Sequence, residues 1–194
     1  MKNKTVYAAL SADLLHEGHI NIIKKASELG ELTVGVLTDK AIASYKRLPY
    51  QDYEKRKTIV ESIKGVHKVV KQETHDYESN LREIKPNIVV HLAALVGGVH
   101  HNIDEPVRYL EENILMNTFV LKESYKNNVE RFTGILSSCI YPDKITNYPI
   151  KEEKLFDGAP HKDLFSYSYA KRCMAIQIDM YKKKYKKNYN YLIP

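Results

Sequence analysis

The chain has 194 residues, of which 43% are hydrophobic and 28% charged, with a net charge of +6. This balance is typical of one soluble α/β domain and excludes a disordered, collagen-like or membrane-spanning chain. Five of the positive charges lie in one run, at 182–187, which we interpret as the solvated end of a helix and not as a nucleic-acid patch. With only two cysteines and no signal-peptide pattern, we expect a cytoplasmic protein.

Short apolar stretches alternate with longer amphipathic ones along the chain. In chain order the predicted elements are strand Thr5–Leu10, helix Ile20–Leu29 ending at Gly30, strand Leu32–Leu37, helix Tyr53–Ile63, strand Val66–Val70, helix Asn80–Ile84, strand Ile88–Leu92, helix Pro106–Lys126, strand Phe132–Leu136, helix Ser166–Lys187 and strand Tyr189–Ile193. This alternation predicts an α/β fold, in which helices cover both faces of a parallel sheet.

The motif His16-Glu17-Gly18-His19 follows the first predicted strand and opens the first helix. A helix N-terminus presents unpaired backbone N–H groups and the positive end of the helix dipole, which favour phosphate. Gly18 lets the backbone approach a ligand closely, and the two imidazoles can hydrogen-bond phosphoryl oxygens. The motif therefore predicts a phosphate site at His16 and His19. The alternative is a pair of surface histidines that cap the helix.

The segment from Lys4 to Val90 resembles the cytidylyltransferase-like nucleotidyltransferase family. The matching pieces are Ser11–His19, Gly35–Asp39, Tyr53–Arg56 and Ile63–Val66. The resemblance lacks two of the family's later segments, the Gly-Asp-Asp-Trp after the fourth strand and a Thr- and Ser-rich nucleotide-binding stretch.

In that family the histidines of the motif contact a nucleoside triphosphate, so the resemblance implies this role for His16 and His19. It also implies a basic residue that helps to hold the nucleotide, at Lys46 with Arg47 as a second candidate. An exposed pair of loop residues is the alternative for these two. Arg56 stands at the position of the family's helix arginine, and we expect CTP with Mg²⁺ as substrate, with no metal held by the protein itself.

A second pattern, Tyr167-x-x-x-Lys171, places a phenol and an ammonium one turn apart on a predicted helix. A nearby cation can lower the pKa of a phenol, so that the tyrosine exchanges a proton with a carbonyl or an alcohol. Ser137, at the end of the preceding strand, can hold the same substrate oxygen. The pattern is weak alone in a chain with 15 tyrosines, for which a chance match is the alternative.

The flanks of this pattern resemble the GDP-L-fucose synthase family of extended short-chain dehydrogenases, from about Val90 to Pro194. The segments that carry the resemblance are His91–Gly98, Ser137–Lys144 and Phe165–Arg172. It implies catalytic roles for Ser137, Tyr167 and Lys171, epimerisation proton transfers for Cys139, and NADP(H) as cofactor. A buried apolar thiol is the alternative for Cys139, and the glycine-rich loop that holds a dinucleotide is missing after the first strand.

Both families share the early strand order 3-2-1-4-5. We therefore predict a Rossmann-like, doubly wound parallel sheet of order 3-2-1-4-5-6 in three α/β/α layers. The prediction is one hybrid domain over residues 1–194, with a nucleotidyltransferase-like half at 1–90 and an epimerase/reductase-like half at 91–194. Both half-sites should then meet at the carboxyl ends of the strands, with nucleotide contacts at Gly18, Lys46, Arg56 and Ala94.

The leading functional hypothesis is a nucleotide-binding, nucleotidyltransferase-like protein that transfers a cytidylyl group to a phosphorylated or phosphonate acceptor. The first alternative is an NADP-dependent epimerase/reductase for a nucleotide sugar of the GDP-4-keto-6-deoxymannose type. The second alternative is a non-catalytic recombined or truncated product. Nucleotides or nucleotide sugars are the expected ligands, neither nucleic acid nor membrane is an expected partner, and helices Pro106–Lys126 and Ser166–Lys187 could form a homodimer.

Overall fold

A computed structural model describes residues 4–45, 47–145 and 148–194. Six strands form one parallel sheet in the order β3-β2-β1-β4-β5-β6. The strands are β1 (Thr5–Leu10), β2 (Glu31–Leu37), β3 (Val66–Gln72), β4 (Ile88–His91), β5 (Arg131–Ile135) and β6 (Asn188–Leu192). The predicted sheet and its strand order are confirmed.

Within the described residues, seven α-helices connect or follow the strands. They are α1 (Glu17–Ser27), α2 (Asp39–Ala43), α3 (Tyr53–Glu61), α4 (Glu78–Ile84), α5 (Val99–Asp104), α6 (Pro106–Lys126) and α7 (Phe165–Tyr185). Three short 3₁₀ turns, Ser138–Ile140, Glu152–Phe156 and Lys162–Leu164, lie between β5 and α7. None of the described helices is long and apolar enough to cross a membrane.

The core lies on both faces of the sheet, as expected of a parallel sheet whose two faces are both covered by helices. On one face Val6 and Ala8 of β1 pack with residues of α1 and α3. On the other face Tyr7 and Ala9 pack with residues of α4, α6 and α7. Strands from both sequence halves pair directly, since Val6 of β1 aligns with Ile88 of β4 and Ile88 with Arg131 of β5. The two halves therefore share one sheet.

The first helix differs from its prediction at both ends. It begins at Glu17, three residues early, because His16 caps it, and it ends at Ser27 with Glu28 as C-cap. Gly30 is therefore not the C-cap. Its φ is +154°, and a Cβ there would lie 2.0 Å from the carbonyl oxygen of Lys4. Glycine is required because β1 passes this close.

Candidate active site

The candidate site residues gather at the carboxyl edge of the sheet. Residues 11–16 follow β1, residues 92–98 follow β4, and residues 136–141 follow β5. The strand order reverses between β1 and β4, and loops at such a point usually form the ligand crevice of a doubly wound sheet. Both sequence-predicted half-sites lie along this edge.

Ser137 and Cys139 occupy the turn that follows β5. Ser137 is extended and precedes the 3₁₀ turn Ser138–Ile140, which brings the Cys139 thiol back to 3.2 Å from Ser137 Oγ. Ser168 of α7 donates to the Cys139 carbonyl oxygen at 3.1 Å and lies 3.4 Å from its sulfur. Cys139 is half-buried and hydrogen-bonded, so it is not a sealed apolar thiol.

Lys171 projects from α7 toward the end of β5. It is only 2% exposed, and its ammonium donates to the Ile135 carbonyl oxygen at 2.8 Å. Burial lowers the pKa of Lys171 to about 8, although the nearby Cys139 opposes the shift. A lysine so placed holds both protonation states near neutral pH and can therefore exchange protons.

Tyr167 lies one turn before Lys171, with the Lys171 ammonium 5.8 Å from the centre of its ring. Its pKa is raised to about 12, chiefly by burial and further by Cys139. The expected lowering of this pKa by Lys171 is therefore not found, because burial raises the pKa instead. At neutral pH Tyr167 is a neutral phenol, which suits a proton donor better than a base.

His91 is a residue that the sequence analysis left without a role. It is completely buried on β4, with Nε2 2.9 Å from Asn117 Oδ1 and Nδ1 3.4 Å from the Tyr77 hydroxyl. Burial, and to a smaller extent the positive charge of Lys171, lowers its pKa to about 3. His91 is thus a neutral imidazole beneath the acid–base residues. Two sequence signals pointed to His91, which lies inside an apolar strand and opens the segment His91–Gly98 that carries the second resemblance.

The depressed pKa of His91 predicts acid sensitivity. The unfolded chain binds a proton at His91 below about pH 6.5, whereas the folded chain does so only near pH 3, so stability is complete above pH 6.5 and falls below it. By pH 5 the loss from this residue is about 2 kcal/mol. In urea unfolding at pH 7 and pH 5, His91→Asn should flatten this dependence, whereas His67→Asn, at an exposed histidine, should not. An unchanged slope in His91→Asn would refute the assignment.

The motif histidines lie at the start of α1. The Gly18 N–H donates to His16 Nδ1 at 3.1 Å, and the His16 N–H donates to His19 Nδ1 at 3.4 Å. The two rings are 4.1 Å apart between centroids. Both histidines therefore cap the helix, as the alternative interpretation of the motif proposed.

Arg56 is completely buried and does not face the crevice. Its guanidinium donates to the carbonyl oxygens of Gln51, Ser11 and Leu37 at 2.6–2.9 Å, and to Asp39 Oδ1 at 2.5 Å. These bonds tie the loop after β1 to the loop after β2. In this arrangement Arg56 positions the backbone of the site instead of contacting a ligand.

The neighbouring loop contains the two basic residues that were predicted to help hold the nucleotide, Lys46 and Arg47. Lys46 lies outside the described residues. Arg47 is half-exposed, with its guanidinium 3.1 Å from Asp13 Oδ2 and 3.7 Å from the centre of the Tyr50 ring. Asp13 also accepts the N–H groups of Tyr50 and Gln51. Arg47 therefore braces two loops against each other.

A cavity of about 330 Å³ opens between the ends of β1, β2 and β4. Its wall includes Ser11, His19, Tyr45, His75 and Ala94. The position of Ala94 is fixed by the next residue, because Asn113 binds both the N–H and the carbonyl oxygen of Leu95. Ala94 thus lines the cavity at which a nucleotide contact was predicted.

The start of α1 does not fit the pyrophosphate of a dinucleotide in the usual way. Such a group normally rests on a glycine-rich loop and on unpaired N–H groups of the first helix. Here the loop 11–16 has no glycine, Ala12 adopts a φ of +53°, and the N–H groups of His16 and Gly18 donate to the chain's own imidazoles. Among the described residues, no group of three or more His, Cys, Asp or Glu side chains could hold a metal ion.

The comparisons with known proteins favour the second sequence resemblance. The chain is 42% identical over 110 residues to a probable GDP-L-fucose synthase of Drosophila melanogaster, covering 57% of this chain and 34% of that protein. It is 40% identical over 116 residues to a GDP-L-fucose synthase of Dictyostelium discoideum, covering 60% and 36%. The chain thus spans about a third of the length of these relatives.

A solved structure extends the likeness to the whole fold. The GDP-mannoheptose C4 reductase MlghC of Campylobacter jejuni, with NADP bound, matches all of this chain and 48% of its own, with a TM-score of 0.67 and 22% identity. The first resemblance has support from a FAD synthase of Methanopyrus kandleri, 32% identical over 91 residues, which cover 45% of this chain and 61% of that protein.

The match to a family model includes most of the chain. The model of the NAD dependent epimerase/dehydratase family matches residues 37–194. It therefore begins at the end of β2, well inside the segment that we assigned to a nucleotidyltransferase-like half. Because the matched residues make up far more than half of the chain, the chain belongs to the NAD dependent epimerase/dehydratase family.

Proposed function

We propose that the chain carries the acid–base site of a GDP-L-fucose-synthase-like epimerase/reductase acting on a keto nucleotide sugar. The observation that carries the proposal is the cluster of Ser137, Cys139, Tyr167 and Lys171 at the end of β5, within which Lys171 is buried with a pKa of about 8. This function was the first alternative in the sequence analysis. The similarity of the chain to two GDP-L-fucose synthases supports this function over nucleotidyl transfer.

The roles follow from the protonation states of the groups. Tyr167, as a neutral phenol, donates a hydrogen bond or a proton to the substrate carbonyl oxygen, and Ser137 supports the same oxygen. Lys171 and Cys139 exchange protons with the carbon next to that carbonyl. Enolisation of this kind needs only proton transfers, which these residues can supply.

The cofactor proposed for the reduction step is NADP(H), which would supply the hydride. The self-capped start of α1 does not provide the usual pyrophosphate contacts. Ala94 and the cavity between β1, β2 and β4 are the part of the crevice proposed to contact the nucleotide. We therefore propose that the residues of this chain carry out only the proton transfers of the reaction.

Nucleotidyl transfer is the second candidate function. The similarity to a FAD synthase over 91 residues and the placement of His16 and His19 at the start of α1 favour it. His16 and His19 are the residues proposed to meet a triphosphate. CTP with Mg²⁺ is the proposed substrate, and the acceptor would be a phosphorylated or phosphonate compound.

Thermal unfolding separates the two candidates. A ligand at about 100 times its Kd stabilises the fold by about 2.7 kcal/mol, which is a visible rise in Tm. We expect a rise with GDP-4-keto-6-deoxymannose that Lys171→Met reduces, and no rise with CTP and Mg²⁺. A rise with CTP and Mg²⁺ alone that disappears in His19→Ala would replace the proposal with nucleotidyl transfer. A further arm with NADPH tests the cofactor.

A homodimer through α6 and α7 is part of the proposal. Large apolar side chains project from the outer faces of both helices, which pack side by side. They are Val107, Leu115 and Phe119 on α6 and Ile176 and Met180 on α7. Several large exposed apolar side chains on neighbouring helices favour an association surface.

Light scattering after size exclusion tests the dimer. Leu115→Glu should convert a dimer into a monomer, because the carboxylate would be buried without a partner. Ile59→Glu, at an exposed position of α3 on the opposite layer, is the matched control and should leave the mass unchanged. A wild-type monomer at micromolar concentration would refute the dimer.

A further inference from the structure

We propose that Ser168 and Arg172 are positioning residues of the acid–base site, which hold Cys139 beside Ser137 by binding the backbone of the turn after β5. The inference rests on the function proposed above and extends it, since it concerns how the thiol that exchanges the substrate proton is held in place. Neither Ser168 nor Arg172 was among the site residues predicted from the sequence.

The turn after β5 ends with two carbonyl oxygens that need donors from outside it. In the 3₁₀ turn Ser138–Ile140, the N–H groups of Ile140 and Tyr141 donate to the carbonyl oxygens three residues earlier, both at 3.2 Å. The carbonyl oxygens of Cys139 and Ile140 come last, where a short helix has no further N–H groups to offer. Buried carbonyl oxygens are nearly always hydrogen-bonded, so side chains from another element are expected to bind these two.

Helix α7 supplies both donors. Ser168 Oγ donates to the Cys139 carbonyl oxygen at 3.1 Å, and Arg172 Nε donates to the Ile140 carbonyl oxygen at 2.7 Å. Ser168 is completely buried and Arg172 is only 5% exposed, so water has little access to either bond. Two consecutive carbonyl oxygens of the turn are therefore fixed to one helix.

Ser168 and Arg172 form a row on α7 next to the row of the acid–base residues. Tyr167 and Lys171 are four residues apart, and Ser168 and Arg172 repeat this spacing one position later. Residues four apart lie on the same face of a helix. One row thus presents the phenol and the ammonium, and the adjacent row binds the turn that carries Cys139. Because both rows belong to one helix, the thiol keeps a fixed position relative to Tyr167 and Lys171.

Ser168 also contacts the thiol itself. Cys139 Sγ lies 3.2 Å from Ser137 Oγ and 3.4 Å from Ser168 Oγ, so the sulfur is held between two hydroxyl groups. The next side chain, Ile140, is completely buried in the core, which limits rotation of the turn. A reacting group displaced by about 1 Å can lose about 100-fold in rate. The hydroxyl group of Ser168 therefore affects proton transfer through the position of Cys139.

Arg172 connects the same turn to the loop that follows it. The centre of its guanidinium lies 5.4 Å from the centre of the Tyr169 ring and 5.8 Å from that of the Phe156 ring. Phe156 ends the 3₁₀ turn Glu152–Phe156, and a guanidinium at such distances is attracted to the faces of aromatic rings. Arg172 thus supports the turn after β5 from both α7 and the following loop.

The test is Ser168→Ala, which removes one hydroxyl group and little volume. Deuterium incorporation next to the keto group of GDP-4-keto-6-deoxymannose gives kcat and KM for proton exchange. We expect kcat to fall about 10-fold or more with KM unchanged, because the substrate still binds but Cys139 is misplaced. Ser124→Ala is the matched control, since Ser124 on α6 is equally buried and its hydroxyl has no hydrogen-bond partner among the described residues. It should leave both constants unchanged.

A double variant shows whether Ser168 acts through Cys139. In Cys139→Ala the remaining exchange depends on Lys171, so the addition of Ser168→Ala should lower it by less than about twofold. A residue that only supports the fold would lower the rate by the same factor in both backgrounds. That result would overturn the inference.

Hydrogen exchange measures the turn without any substrate. Arg172→Met should lower the protection of the Ile140 and Tyr141 amides about tenfold, while amides of β1 keep theirs. Unchanged protection of the two amides would overturn the role of Arg172. Equal kcat in the wild type and Ser168→Ala would overturn the role of Ser168 and leave the proposed function standing. A wild type that incorporates no deuterium would overturn the proposed function and this inference together.

Discussion

Lys171→Met should lower the rate of proton exchange next to the keto group of GDP-4-keto-6-deoxymannose by about 10²–10⁴-fold, the usual contribution of a positioned acid or base. The side chain is 2% exposed and its pKa is lowered to about 8, so at pH 8 the neutral amine that accepts a proton is well populated. Deuterium incorporation from D₂O, followed by NMR without NADPH, measures this step separately from reduction.

The fold should tolerate the same change. Burial penalises the charged form of Lys171, and methionine fills a similar volume without that penalty. This gain offsets the lost hydrogen bond to the Ile135 carbonyl oxygen, so we expect only a small change in Tm. The wild-type exchange rate should rise with pH, with an inflection near pH 8 and a plateau above it, because the base must lose its proton first. This inflection should be absent in Lys171→Met.

Lys182→Met on the same helix is the matched control, since Lys182 is exposed in the last turn of α7. Its exchange rate should equal that of the wild type. If Lys171→Met also retained the wild-type rate and pH profile, Lys171 would not be the proton-transferring group. The proposed acid–base site would then lose its central residue.

The regular elements were predictable because their signals are local. The run Thr5–Leu10 is apolar, and β1 covers exactly these residues since a central parallel strand is buried on both faces. Helix α6 begins at Pro106 as predicted, because proline suits the first position of a helix. The short helices α2 and α5 were missed, since five or six residues carry too little periodicity to be recognised.

The site was only partly predictable because its energetics are not local. The spacing of Tyr167 and Lys171 could be read from the sequence, but the burial that raises one pKa and lowers the other comes from the whole fold. The role of Arg56 depends on carbonyl oxygens of Ser11 and Leu37, 45 and 19 residues away. No sequence pattern near Arg56 predicts these hydrogen-bond partners.

The ranking of the two candidate functions changed for a related reason. The His16-Glu17-Gly18-His19 motif was interpreted as a phosphate site, and the structure shows that the same residues close on their own helix. The family model also matches from residue 37 onward, and so it covers most of the segment that was assigned to a nucleotidyltransferase-like half. A short motif at a helix start is compatible with capping as well as with ligand binding.

Arg56→Met should lower the free energy of unfolding by about 3–5 kcal/mol, as expected when one partner of a buried charged network is removed. The change leaves three carbonyl oxygens, of Gln51, Ser11 and Leu37, without their donor. It also leaves the Asp39 carboxylate, which is partly exposed, without its ion pair. Urea unfolding at pH 7 measures the loss.

Two further variants test which property of Arg56 accounts for the loss of stability. Arg82→Met removes an arginine that is 59% exposed and paired with Glu78 and Glu123, so it should cost less than about 1 kcal/mol. Arg56→Lys keeps the charge but cannot reproduce the planar fork that reaches several acceptors, so most of the loss should remain. If Arg56→Lys restored full stability, the charge alone would matter. The loops after β1 and β2 would then not depend on the geometry of the guanidinium.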